Sequence, residues 1–172
     1  MEWRDLLIDG YGRVAEELEQ AVQKLSPEEL EWQPGPGANS MGWLAWHLTR
    51  IQDDHVADLL YEEQLWTRDG WDERFGLPYE PYDTGFGHTP AQVAAFRSPG
   101  ADVLTGYHRV AFERTKGYLA SLSEADLGRE LDEPWYQPIP TVGVRLVSVL
   151  SDCLQHVGQI AYVRGLLRGS SA

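Results

Sequence analysis

Cysteine is almost missing from this sequence: Cys153 is the one thiol in 172 residues. An internal disulfide framework and any multi-cysteine zinc site are therefore excluded, and a reducing, cytoplasmic setting is the expectation. Lysine is nearly as scarce, with Lys24 and Lys116 against twelve arginines, and no stretch clusters basic residues. The formal charge of −13 and the pI near 4.7 oppose attraction to nucleic-acid phosphates, so no nucleic-acid partner is expected. No apolar run approaches the roughly 20 residues that a membrane span needs, and no membrane partner is expected. The opening MEWRDLLIDGYGRVAEELEQAVQKL carries acids throughout and lacks an uninterrupted apolar stretch, which argues against a secretory signal. Convincing alternating strands, internal repeats and low-complexity tracts are absent as well.

Hydrophobic residues make up 42% of the chain and include seven tryptophans, enough to bury the core of a single domain spanning 1–172. Helical periodicity organises most of it. Residues 2–24 place Trp3, Leu6, Leu7, Val14, Leu18 and Val22 on one face. Ser26, Pro27 and Glu29 then mark a short helical turn. From Ser40 a second long helix carries Trp43, Leu44, Trp46, Leu48, Ile51, Val56 and Leu59. Residues 65–89 are dense in Gly, Pro and aromatics and show no period, which predicts a long loop between helices 2 and 3, a length often found in binding segments or lids. Within it RFGLPY, residues 74–79, is the candidate lid. Thr89–Pro90 and Ser98–Pro99 mark the starts of a short helix and a third long one, and Thr141 caps a fourth running to about Leu167. These elements predict an all-α, antiparallel four-helix bundle.

Bundles build metal sites in their cores from side chains on facing helices. On the fourth helix Asp152 and His156 are four residues apart and share a face. His47, between Trp46 and Leu48 in an apolar stretch, is the partner to expect from the second helix. Two histidines and a carboxylate make a three-ligand set with an open position, as in catalytic zinc sites, and the donors also suit Ni²⁺, Fe²⁺ or Mn²⁺. The competing structural reading is a buried Asp–His ion pair with an unrelated core histidine.

The stretches NSMGWLAWHLTRIQDDH and DCLQHVGQIAYVRG resemble the DinB-like, or YfiT-like, superfamily of metalloenzymes. Within it the chain is most similar to the branch containing the metal-binding domain of mycothiol-dependent maleylpyruvate isomerase. Superfamily members carry a histidine on the second helix and an H-x-x-x-H pair on the last, which fall here on His47, Asp152 and His156. Asp152 departs from the commoner histidine; the mycothiol-dependent branch has a carboxylate there, usually the longer glutamate. The resemblance implies a divalent metal, a low-molecular-weight thiol such as mycothiol, and a homodimer.

Other residues are secondary candidates. Gln159 lies seven after Asp152 and Asp54 seven after His47, each two turns along its neighbour's face. Gln159 is read as a hydrogen-bond partner of the ligands and Asp54 as a base at the pocket mouth or a solvated helix residue. Trp46 is read as core or pocket wall. Arg50, Arg74 and Arg164 are candidates to bind a substrate or cofactor carboxylate, against the commoner role of ion pairing. His55 is turned about 80° from His47 and reads as a surface or interhelical residue. His88 and His108 read as structural or exposed, and Cys153 as a small buried thiol. The expected function is transfer of a metal-activated thiol to a small-molecule electrophile, or isomerisation of a thiol adduct. The alternatives are a metal-dependent hydrolase and a non-catalytic, metal-binding or stress-associated bundle.

Overall fold

The computed structural model describes residues 2–170. Four of its helices begin where a Ser or Thr side chain takes up a free N–H group of the first turn. Helix α1 spans Trp3–Val22. Ser26 and Glu29 form a reciprocal capping box that starts α2, Pro27–Glu31. Ser40 Oγ accepts from Trp43 N–H at 3.2 Å and opens α3, Met41–Leu60. Two short helices follow, α4 (Leu65–Arg68) and α5 (Trp71–Phe75), then α6 (Pro90–Ala94), capped by Thr89. Helix α7 covers Ala101–Ser121 and α8 covers Val142–Ser170. Thr141 caps α8 by accepting from Val144 N–H at 3.3 Å.

The all-helical four-helix bundle expected from the sequence is the fold observed, built from α1, α3, α7 and α8 around one apolar core. Side-chain contacts give the helix directions. Helix α3 runs antiparallel to α8, pairing His47 with His156 and His55 with Arg145. It runs parallel to α7, pairing Thr49 with His108 and Gln52 with Thr115. Helix α1 is antiparallel to α7, with Arg4 at Leu122 and Gly12 at Phe112, and parallel to α8, with Tyr11 at Leu146 and Arg164 at Gln20. The order is up, down, down, up. A chain that leaves α3 at one end and enters the parallel α7 at the other must travel back along about 30 Å of helix. That return is the work of residues 61–100, and it explains the length of the loop.

Two boundaries differ from the sequence reading. The third long helix starts at Ala101 rather than at Ser98–Pro99, because Gly100 has φ 99° and interrupts the turn. Helices α4 and α5 lie within the stretch that reads as loop. The first is capped by a distant residue: Asp53 accepts from Leu65 N–H (3.0 Å) and Trp66 N–H (2.9 Å). The RFGLPY segment is not a free lid, since Phe75 is buried against Trp66 and Tyr107.

Candidate metal centre

His47 lies in the second turn of α3, and Asp152 and His156 lie on successive turns of the antiparallel α8, so the helix directions bring the trio to one point. One ligand atom from each falls within 4.8 Å of the others. His156 Nε2 is 3.4 Å from Asp152 Oδ1, and the two imidazoles meet edge to face at 4.8 Å. His47 is 5% exposed, while the side chains of His156 and Asp152 are 17% and 36% exposed. The trio is thus closed on the α3 side and open on the α8 side.

The outer nitrogens of both histidines are occupied. His47 Nδ1–H donates to the Thr84 carbonyl at 2.5 Å, and His156 Nδ1–H donates to Gln159 Oε1 at 2.8 Å. A neutral imidazole carries one proton, so in its neutral form each ring presents Nε2 to the centre as a lone-pair donor. Metal-binding histidines are oriented in this way by a hydrogen bond on the far nitrogen. Asp152 Oδ2 is buried and has no hydrogen-bond partner. A buried carboxylate oxygen with nothing to accept is costly, and a cation between it and the two Nε2 atoms would satisfy all three. The donor set therefore fits a divalent ion.

Electrostatics divide the trio. Burial lowers the pKa of His47, against the pull of the Thr84 carbonyl. Burial acts the same way on His156, but hydrogen bonds to Asp152 and Gln159 outweigh it and raise the pKa. Burial would raise Asp152; its hydrogen bond to His156 prevails and the carboxyl is lowered. Without metal, the Asp152 carboxylate favours a proton on His156 Nε2, and a bound cation has to compete with that proton.

The loop that fixes His47 is itself braced. Asp83 accepts from Gly85 N–H (2.7 Å) through Oδ1 and from His88 Nε2–H (2.9 Å) through Oδ2, and His88 Nδ1 accepts from Trp43 Nε1–H at 3.2 Å. Trp43 stacks on His47 at 4.7 Å. Gly85 has φ 87°, and a Cβ there would lie 2.8 Å from Trp46, 2.9 Å from Trp43 and 3.1 Å from His47 Nδ1. Only glycine meets both requirements. These residues escape sequence reasoning: the group that touches His47 is a backbone carbonyl, and Asp83-x-Gly85, an Asx-turn pattern, is the one local hint.

The remaining candidates lie elsewhere. Trp46 is fully buried among Trp66, Tyr79 and Phe96, as core. Arg50 is also fully buried, donating to the Pro81 and Asp83 carbonyls and to Tyr107 and lying over Trp66; it ties the returning loop to α3. Arg74 stacks on Trp71 at the surface. Arg164 donates to the Gln20 and Gln23 carbonyls and closes the C-terminus of α1. Asp54 accepts from Gln64 Nε2 at 2.5 Å and borders a different cavity, with His55 and Asp58. His108 is buried, donates to Thr49, and has its pKa pushed down to about 4 by burial. Burial also raises the Cys153 thiol, which donates to the Leu48 carbonyl at 3.6 Å.

A four-helix bundle with a two-histidine, one-carboxylate cluster between α3 and α8, open on one side, defines a class of proteins with a metal-type centre in a helical core. The DinB superfamily profile matches residues 11–160, and the chain belongs to that superfamily. It is similar to a crystal structure described as the conserved protein of locus from Enterococcus faecalis. The two share 31% identity and a TM-score of 0.90 over 98% of this chain and 99% of that one. A search of curated proteins returns no match. Among the described residues no helix is long and apolar enough to cross a membrane.

Proposed function

We propose that the chain is a divalent-metal-dependent enzyme that uses a low-molecular-weight thiol, mycothiol being the leading candidate, in a transferase or isomerase reaction on a small-molecule electrophile. The observation that carries this reading is the pair of Nε2 atoms, each turned to the centre by a hydrogen bond on its Nδ1, facing a carboxylate with an unpartnered oxygen. His47, Asp152 and His156 would hold the ion, zinc by preference from the donor set, with nickel, iron or manganese also suited to it. A bound divalent cation supplies Lewis acidity, which turns a thiol into a nucleophile at neutral pH. The protein's own part is to hold the ligands at fixed tautomers and to seal the α3 side with Trp43 and Gly85. The α8 side is left for thiol and substrate.

Cys153 does not compete as the nucleophile, being buried with a raised pKa. For the alternative of a hydrolase, Asp54, the sequence candidate for a base, sits in another cavity. The reading includes a cytoplasmic homodimer that takes small molecules rather than nucleic acid. Exposed Val147, Leu154 and Tyr162 along the outer face of α8 support self-association, which light scattering would measure directly.

The test is conjugation of a low-molecular-weight thiol to monochlorobimane by zinc-reconstituted protein. Metal-dependent acceleration that disappears in His47→Ala is the expected result. No acceleration with mycothiol, bacillithiol, glutathione or cysteine would favour a binding protein without turnover.

A further inference from the structure

His55 reads from sequence as an unremarkable helix histidine, yet its proton is placed by its neighbours. Arg145 Nη1 lies 2.8 Å from His55 Nδ1. A guanidinium can only donate, so Nδ1 must accept and the ring proton must sit on Nε2. Arg145 is held in place, because its Nη2 meets both oxygens of Glu133 at 2.6 Å. Arg145 and Glu133 are 13% and 16% exposed. Among the described residues the hydrogen bond that His55 makes is through Nδ1, and its side chain is 30% exposed. The result is a fixed hydrogen-bond donor at the surface of the α3–α8 face.

Two cavities are lined in part by the His55–Arg145 pair. One, of about 350 Å³, is lined by carboxylates including Asp54, Asp58, Asp132 and Glu133. The other, of about 320 Å³, is bounded by Tyr136, Pro138, Pro140, Val144 and Ser148 together with the pair itself. The second combines the apolar Pro138, Pro140 and Val144 with a few polar groups, His55, Tyr136 and Ser148 among them, a composition typical of small-molecule sites. Arg145 is already neutralised by Glu133, so the site offers no surplus positive charge for an anion. Ser148 precedes Asp152 by one turn on the same face of α8, which puts this cavity beside the metal centre.

We propose that this second cavity binds a compact apolar ligand bearing a neutral carbonyl, and that His55 Nε2–H donates to the carbonyl oxygen. The assignment rests on the proposed reading of the open α8 side as the side for thiol and substrate and narrows it: the electrophile is a carbonyl compound with an apolar flank. Glu133 and Arg145 are positioning residues that hold the His55 tautomer.

The experiment uses the full chain labelled with ¹⁵N-histidine, metal-free and zinc-reconstituted in parallel, with acetophenone as the probe. Long-range ¹H–¹⁵N spectra at pH 7 are expected to show His55 protonated on Nε2 alone. Titration with acetophenone is expected to shift that nitrogen and the Val144 methyls saturably. His55→Gln, which keeps a donor, should bind within about threefold of wild type, and His55→Phe should lose about tenfold, as for one hydrogen bond. An Nδ1–H tautomer, the absence of saturable shifts, or equal affinity in His55→Phe and wild type would each overturn the assignment. Failure of zinc to bind would overturn the metal reading alone, because acetophenone binding is read independently in the metal-free protein.

Discussion

Two aspartates on facing helices, Asp53 on α3 and Asp152 on α8, show how differently one side chain can be used in a single core. Asp53 is fully buried and satisfied on every side: it accepts from Leu65 and Trp66 N–H, from Tyr107 Oη–H at 2.7 Å and from Arg114 at 3.2 Å, with Arg50 at 3.9 Å. Asp152 is less buried, yet one of its oxygens is enclosed and has no partner. A saturated carboxylate holds a fold together, whereas one with an unpartnered oxygen beside two imidazole Nε2 atoms is poised for something that is not protein.

The sharpest way to break the comparison is to remove each carboxylate and read stability and metal separately. Asp53→Ala leaves Arg50 and Arg114 without their buried counter-charge and takes the cap from α4. It should cost about 3–5 kcal/mol in urea denaturation. Next is Gly85→Ala, which forces a Cβ against Trp43, Trp46 and His47 at positive φ. It should cost about 1–3 kcal/mol and weaken metal binding by displacing the Thr84 carbonyl from His47. Asp152→Asn should change the stability of metal-free protein by less than about 1 kcal/mol, as for a partly exposed pair, while abolishing stoichiometric metal. Gln159→Ala removes only the acceptor behind His156 and should weaken metal affinity about 10–100-fold, measured by competition with a chelator.

The pH dependence sharpens the contrast further. The raised pKa of His156 and the lowered pKa of Asp152 give the metal-free protein an ion pair that stabilises between their two titrations. The His156 contribution is fully present below its ordinary pKa of 6.5 and is lost as pH rises through the higher folded value. The Asp152 contribution is lost as pH falls through its depressed value. Zinc reverses the first slope, because it competes with the His156 proton, so the stabilisation it adds should grow with pH. Thermal melts across pH 5–8 with and without zinc measure both slopes, and His156→Gln should flatten the first.

The four long helices were legible in the sequence because their signals are local: apolar residues at helical spacing, with Ser40 and Thr141 as caps, as Ser26 and Thr89 are for the short α2 and α6. Helices α4 and α5 were not, since the residue that caps α4 is Asp53, on another helix. The loop was visible as a loop but not as the return path between two parallel helices, which depends on how all four pack. At the site, Asp152 and His156 announced themselves by spacing and His47 by its place in an apolar stretch of the second helix, and the family resemblance added weight to all three. The groups that orient them divide in the same way. Gln159 is three residues from His156 on one helix, whereas Thr84 acts through its backbone and has no residue signature. The fixing of His55 by Arg145 joins residues far apart in sequence.

The most direct test of the central claim is elemental mass spectrometry on protein purified without a histidine tag, comparing wild type with His47→Ala and Asp152→Asn. The account predicts near-stoichiometric divalent metal in wild type and its loss in both variants while their helical content is unchanged. Wild type that stays empty after reconstitution, or metal retained in both variants, would contradict it.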